Sequence, residues 1–282
     1  FGIWAVPKIV EKFTKPDSVS LQSTKFEPKK VAVDNQNNMY IVAEGVFDGL
    51  IQMSSSGDFL GYFATNEVVL TPTQQFQKLI FTDEQLDQIS NFNPPSFSNV
   101  YVDPNGIKYT TSIGDDVDSV KKHNTNGSSS IDTNYGVDLG LIDVYTDSYG
   151  TIYTAGEDGY IYIFTSDGQF IFAFGTDVSG EDVAGLYSEL NSIAVDSKGT
   201  IWTLDGDKAF IQSYTPTDYS TQIYEALNFY KFGKYTDAVN AWEEVLKLNQ
   251  LSVLAHNEIG RNLFSQGEYE LALEHFELAG NR

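Results

Sequence analysis

Cysteine is absent from the 282-residue sequence, and only three histidines and two methionines are present. The first absence removes disulfides, thiolate metal sites and a cysteine nucleophile together, without fixing a redox compartment. His123 stands alone in the first three quarters, and His256 and His275 fall in separate helical segments. With no histidine beside a serine and no Gly-x-Ser-x-Gly elbow, serine hydrolysis has no support. Positive charge is scarce: 17 lysines and arginines face 39 aspartates and glutamates, a net charge of −22. Such a field repels phosphate backbones, so nucleic acid is excluded as an expected partner. No window approaches the ~18 to 20 apolar residues of a membrane span, and no leader-like segment opens the chain. Membrane contact is expected only through segments outside this chain. What is present is a 41% hydrophobic and 14% aromatic composition, enough for a sizeable core and against disorder as the main state.

A repeat of about 40 to 50 residues organises positions 1–214. Each unit carries an alternating apolar run, an aspartate, a short polar link and a second apolar run. Val31 to Asp34 leads to Met39 to Val42, Val100 to Asp103 leads through Gly106 to Tyr109, Val144 to Asp147 through Gly150 to Tyr153, and Ile193 to Asp196 through Gly199 to Trp202. Each reads as a β-hairpin, since Asp-x-x-Gly supplies a side-chain-to-backbone bond and a positive φ. Second hairpins follow at Leu50 to Phe63 and Tyr160 to Phe174, and are blurred across Ser119 to Asp132. Four strands per unit make a propeller blade. Residues 67 to 95 show helical spacing and read as an insertion, and Phe1 to Val6 match Gly150 to Ala155 as part of an incomplete first blade, which implies a longer polypeptide.

After Tyr214 the period changes to 3.6, and residues 215–282 form two helical hairpins. Ala226/Gly260, Gly233/Gly267, Tyr235/Tyr269, Ala238/Ala272 and Trp242/Phe276 are all offset by 34 residues, the spacing of tetratricopeptide repeats. The inner groove of such a pair should present Leu227 and Tyr230 from one unit and Asn257, Arg261 and Phe264 from the next, the candidate partner-binding set. A free apolar face on Leu263, Leu271, Leu273 and Phe276 should find a cover in further chain, the propeller or a partner.

The expected fold is therefore mainly β with an all-α C-terminal part. With Val31 to Asp34, Tyr40 to Leu50, Phe81 to Gln85 and Pro216 to Tyr219, the chain resembles NHL-type β-propellers fused to tetratricopeptide repeats, in particular surface proteins of Gram-positive bacteria. That resemblance implies a six-bladed propeller when complete, an export signal upstream, a membrane anchor downstream, and association with sugar ABC transporters. It implies no catalytic residues.

Asp34, Asp103, Asp147 and Asp196 could ring a propeller axis and hold a cation, but each sits in a hairpin turn where capping of backbone amides is the expected role. Asp115, Asp116 and Asp118 are oxygen-rich loop residues suited to a weak calcium site, without the glycine and distal glutamate of an EF-hand. No other cofactor is expected. The expected function is a non-catalytic extracellular scaffold binding a protein or an oligosaccharide. The rival is a metal-dependent propeller hydrolase or lyase of the lactonase type.

Overall fold

The computed structural model describes residues 11–21, 26–65, 96–113, 119–131, 139–178 and 183–280. The expected insertion at 67 to 95, the strand at Phe1 to Val6 and the acidic trio Asp115, Asp116 and Asp118 lie outside the described residues. The described chain is mainly β, with four α-helices at its C-terminal end. It divides into two compact units, 1–130 with 136–138 and 131–135 with 139–282.

In the first unit, β1 (Pro28–Val33), β2 (Met39–Ala43), β3 (Leu50–Met53) and β4 (Phe59–Phe63) form an antiparallel meander in that order. A second meander contains β5 (Phe97–Val102), β6 (Lys108–Ser112) and β7 (Val120–His123). Alternation gives the first sheet two apolar faces. Ile41, Ile51 and Met53 pack on Leu21, while Tyr40, Val42 and Leu50 meet Phe97 and Val100 of the second sheet.

The β7 strand lies in the polar stretch where the sequence pattern blurs. It holds because His123 behaves as a core residue: it is buried, its Nδ1 faces the Gly127 carbonyl at 2.8 Å, and its Nε2 lies 2.7 Å from the Thr110 hydroxyl. Nδ1 therefore carries the proton and Nε2 accepts. The edges of Phe63 and Phe97 close around the ring. Burial lowers its pKa to about 4, against a support from the Gly127 carbonyl. Because the folded-state value is depressed, the unfolded chain takes up the proton first, and the stabilisation present above the unfolded value is lost as pH falls through the folded one. The unfolding free energy should drop by about 3 kcal/mol between about pH 6.5 and 4. Urea titrations across that range should show the drop in the parent and a flatter profile in His123→Phe.

In the second unit, β8 (Leu141–Thr146), β9 (Ile152–Gly156), β10 (Tyr160–Phe164) and β11 (Phe170–Asp177) form the third meander, extended by the short parallel β12 (Leu186–Tyr187). The fourth holds β13 (Leu190–Val195), β14 (Ile201–Asp205) and β15 (Phe210–Tyr214). Their first strands, β8 and β13, lie together. Tyr153, Ile161, Ile163, Leu190, Ile193 and Val195 fill the space between the sheets. Asp143 ties the two: its Oδ2 accepts from the Ser192 hydroxyl at 2.5 Å and the Ile193 amide at 2.9 Å. Trp202 is 44% exposed. On β14 the side chains alternate, and Trp202 and Leu204 take the exposed face with Ile211 of β15.

One turn chemistry recurs in both units. Asp34, Asp103, Asp147 and Asp196 each accept the amides two and four residues ahead on Oδ1 at 2.8–3.0 Å. Gly106, Gly150 and Gly199 follow with φ of +82°, +84° and +78°, and Asn37 takes φ +61° in the first copy. These hydrogen bonds hold Asp34 and Asp196 below the usual carboxylate range; for Asp34 they overcome its burial, while for Asp196 the Lys198 amide leads. Elsewhere glycine serves a close approach. Gly49 has φ +128°, and a methyl there would run into the Ala64 carbonyl oxygen. Gly49→Ala should cost about 2 kcal/mol or more, read as a lowered urea midpoint.

The helices are α1 (Asp218–Lys231), α2 (Tyr235–Leu248), α3 (Val253–Gln266) and α4 (Tyr269–Leu278). Thr217 opens α1 in a reciprocal cap with Ser220, Ser252 caps α3 through the Ala255 amide, and Gly267 ends α3 in the left-handed region. Ala226, Ala238 and Ala272 are buried, and Gly260 lets the Phe276 ring against the α3 backbone, since a Cβ would lie 2.6 Å from it. Trp242 is fully buried with Ile223, Val245 and Ile259. Ile171 and Phe172 of β11 join this helical core, so the helices are docked on the third sheet. Leu271 and Leu273 of α4 remain exposed.

Candidate functional site

The inner face of the helical pair is met by two hairpin turns of the third sheet. The β8–β9 turn brings Tyr149 and Thr151, the β10–β11 turn brings Thr165 and Asp167, and α1 and α3 supply the opposite wall. Between them lies a cleft of about 270 Å³. Leu227, Tyr230 and Arg261 line it together, whereas Asn257 borders a more open hollow beside Phe170, Ile171 and Leu254, and Phe264 is exposed with its ring against Tyr269.

Arg261 is the pivot of the cleft. Its guanidinium reaches Asp167 at 2.9 Å and Glu258 at 2.6 Å and lies over the Tyr230 ring, 5.2 Å from its centre. With its amide turned to suit its neighbours, Gln169 donates to Glu258 and accepts from Arg261. Burial works against the arginine's charge, but the two carboxylates hold it protonated, above the ordinary guanidinium value. Glu258, 1% exposed, is pushed upward by burial, with Arg261 pulling the other way. Only one of its oxygens is engaged: Oε2 has no hydrogen-bond partner, and neither has Oδ1 of Asn228, another residue of the cleft wall. Lys231 donates to the Tyr149 carbonyl at 2.8 Å and sits over that tyrosine's ring. The cleft thus balances Asp167 and Glu258 against Arg261 and Lys231.

The back wall connects to the recurring turn. Tyr153 donates to Asp147 Oδ2 at 3.2 Å and is hydrogen-bonded to Tyr224 of α1. Burial raises both phenols, Tyr224 to about 12, so they stay neutral donors at ordinary pH. The same aromatic-to-aspartate clip, six residues apart, joins Tyr40 to Asp34 at 3.0 Å and Trp202 to Asp196 at 3.3 Å. In these three copies the aspartate spends one oxygen on backbone amides and the other on a ring donor across the hairpin. Among the described residues, no group of three or more His, Cys, Asp or Glu side chains is arranged to hold a metal ion, and no helix is long and apolar enough to cross a membrane. His256 and His275, distant in sequence, meet with Nδ1 atoms 3.1 Å apart; His256 Nε2 faces the Gln250 carbonyl, so His275 donates within the pair.

Residues 225–281 match the tetratricopeptide repeat family. No curated protein matches the sequence. Among solved structures, the chain is similar to a protein of unknown function from Bacteroides caccae, at 11% identity and a TM-score of 0.46, with 70% of this chain and 59% of that one covered. It is similar to a catalytically inactive virginiamycin B lyase from Staphylococcus aureus with quinupristin, at 11% identity and a TM-score of 0.45, covering 70% and 58%. The extracellular domain of a Bacteroides thetaiotaomicron protein described as a hybrid two-component system gives 14% and 0.43, covering 70% and 25%. The chain thus spans about three fifths or less of the length of these structures.

Proposed function

We propose that the chain is a non-catalytic binding and scaffold module at a bacterial cell surface. In this reading the four meanders are blades of an NHL-type propeller that is completed by further blades, and the helical pair braces it. The module serves a sugar-uptake system, as in the Gram-positive surface proteins it resembles, by engaging an oligosaccharide or a protein component. One observation supports a bracing role for the helices above others. The groove in which a tetratricopeptide pair would hold a peptide is occupied by two turns of the third sheet, joined through Asp167 and Arg261. What is left is a small cleft whose largely apolar wall carries a few charged and polar groups, rather than an extended channel, which suits a sugar better than a peptide strand.

The test is thermal unfolding of the chain against a panel of neutral and acidic oligosaccharides, each with calcium or with a chelator, and chromatography of the sugars afterwards. A bound ligand at a hundredfold excess over its Kd stabilises the native state by about 2.7 kcal/mol. The expected result is a raised midpoint with the sugar recovered unchanged. Cleavage, elimination or lactone opening of the ligand would overturn the non-catalytic reading in favour of the lactonase-type one.

A further inference from the structure

We propose that the cleft between α1, α3 and the turns of the third sheet is a binding site for a single neutral sugar ring. This rests on the binding reading above and narrows it to one site and one ligand class. The argument starts from unmet hydrogen bonding. Glu258 Oε2 and Asn228 Oδ1 are both buried and both without partners. Each is an acceptor, so what satisfies them must donate. A buried acceptor left alone is costly, more so when charged, and a donating ligand would relieve part of that cost.

Charge narrows the donor. A cationic ligand would meet two resident cations: Arg261, which engages both Asp167 and Glu258 and lies over Tyr230, and Lys231, which lies over Tyr149. An anionic ligand would face the Glu258 carboxylate. A neutral hydroxyl donor remains, and the two acceptors ask for more than one hydroxyl on a compact frame. Tyr224 and Leu227 border a space of about 270 Å³ and suit the partly apolar face of a pyranose. Both orphan oxygens are closed to bulk water, so most of their desolvation has been met before the ligand arrives, and a hydroxyl reaching them on a small swing of either side chain gains a hydrogen bond in a low-dielectric setting.

The experiment is isothermal titration of the chain with a panel of neutral monosaccharides and their methyl glycosides, with glucosamine and glucuronate as charged controls. Parent, Glu258→Gln and Asn228→Ala are compared, and the thermal midpoint of each variant verifies folding. One or more neutral rings should bind, with about tenfold or greater loss in each variant and weaker binding of both charged controls. Asn228→Ala, on the partly exposed α1, serves as the second probe should Glu258→Gln fail to fold. No binding of any neutral ring would overturn the site, and so would equal affinity in parent and folded variants. Equal affinity would leave the broader binding reading standing, because the sugar would then sit elsewhere; turnover of a bound sugar would overturn the non-catalytic reading while leaving the site intact.

Discussion

Arg261→Ala should lower the unfolding free energy by about 3 kcal/mol at pH 7, one of the two largest losses expected of a single substitution in this chain. The charge it removes compensates Glu258, which is 1% exposed and has one oxygen bonded to the guanidinium and the other to nothing. Deleting one partner of a buried pair strands the other, at a typical cost of 3 to 5 kcal/mol; the lower end applies because Arg261 is itself partly exposed, and Asp167 more so. The loss should shrink with acid. Without Arg261, the influence that holds the Glu258 pKa down is gone, so burial raises it further and the stranded carboxyl neutralises more readily. Urea unfolding at pH 7 and pH 5 should therefore give a clearly smaller difference between parent and variant at pH 5. An equal difference at both values would show that Glu258 is not the stranded group. Arg261→Met with Glu258→Gln, which removes both charges and keeps the volume, should recover much of the stability.

Asp143→Ala should cost about 2 to 3 kcal/mol by a different route. Asp143 reaches from β8 to the Ser192 hydroxyl and the Ile193 amide on β13, both part of the seam between the third and fourth sheets. Alanine leaves a buried amide without an acceptor and opens a gap beside the core that includes Ile193 and Leu190. Asp143→Asn keeps an acceptor oxygen and should recover about half the loss. A loss under 0.5 kcal/mol for the alanine variant, measured by urea unfolding, would mean that water or a shift of β13 replaces the aspartate.

The hairpin turns were legible because their chemistry is local. A positive φ admits few residues, and glycine or asparagine three positions after each aspartate marks it. The ring donor that completes the clip was open to the same reading, since Tyr40, Tyr153 and Trp202 all stand six residues after their aspartates. That regularity was missed because the bond crosses a strand pair instead of following the chain. The β7 strand was hidden for another reason: Lys121, Lys122 and His123 look like surface, and only the packing of Phe63 and Phe97 makes His123 a core residue. In the helices, the 34-residue offset identified the small packing positions and pointed to Leu227, Tyr230 and Arg261 as groove residues. The partners of that groove, Asp167 and Tyr149, come from turns about 80 to 100 residues earlier, a distance that no local periodicity spans. Glu258 escaped notice because one glutamate on a helix in an acidic chain carries no signal until burial singles it out.

The docking of the helical pair on the third sheet underlies both the cleft and the proposed bracing role, and cooperative unfolding tests it most directly. Trp242 is fully buried in the helical core. With Trp4 and Trp202 replaced by phenylalanine, its fluorescence reports the helices alone, while a fluorine-labelled Tyr153, buried among the third and fourth sheets, reports the sheets. If the helices are docked through Ile171, Phe172 and Arg261, the two probes should lose their native signals at the same urea concentration. Separate midpoints, with the helices melting while Tyr153 keeps its native environment, would contradict the docked arrangement.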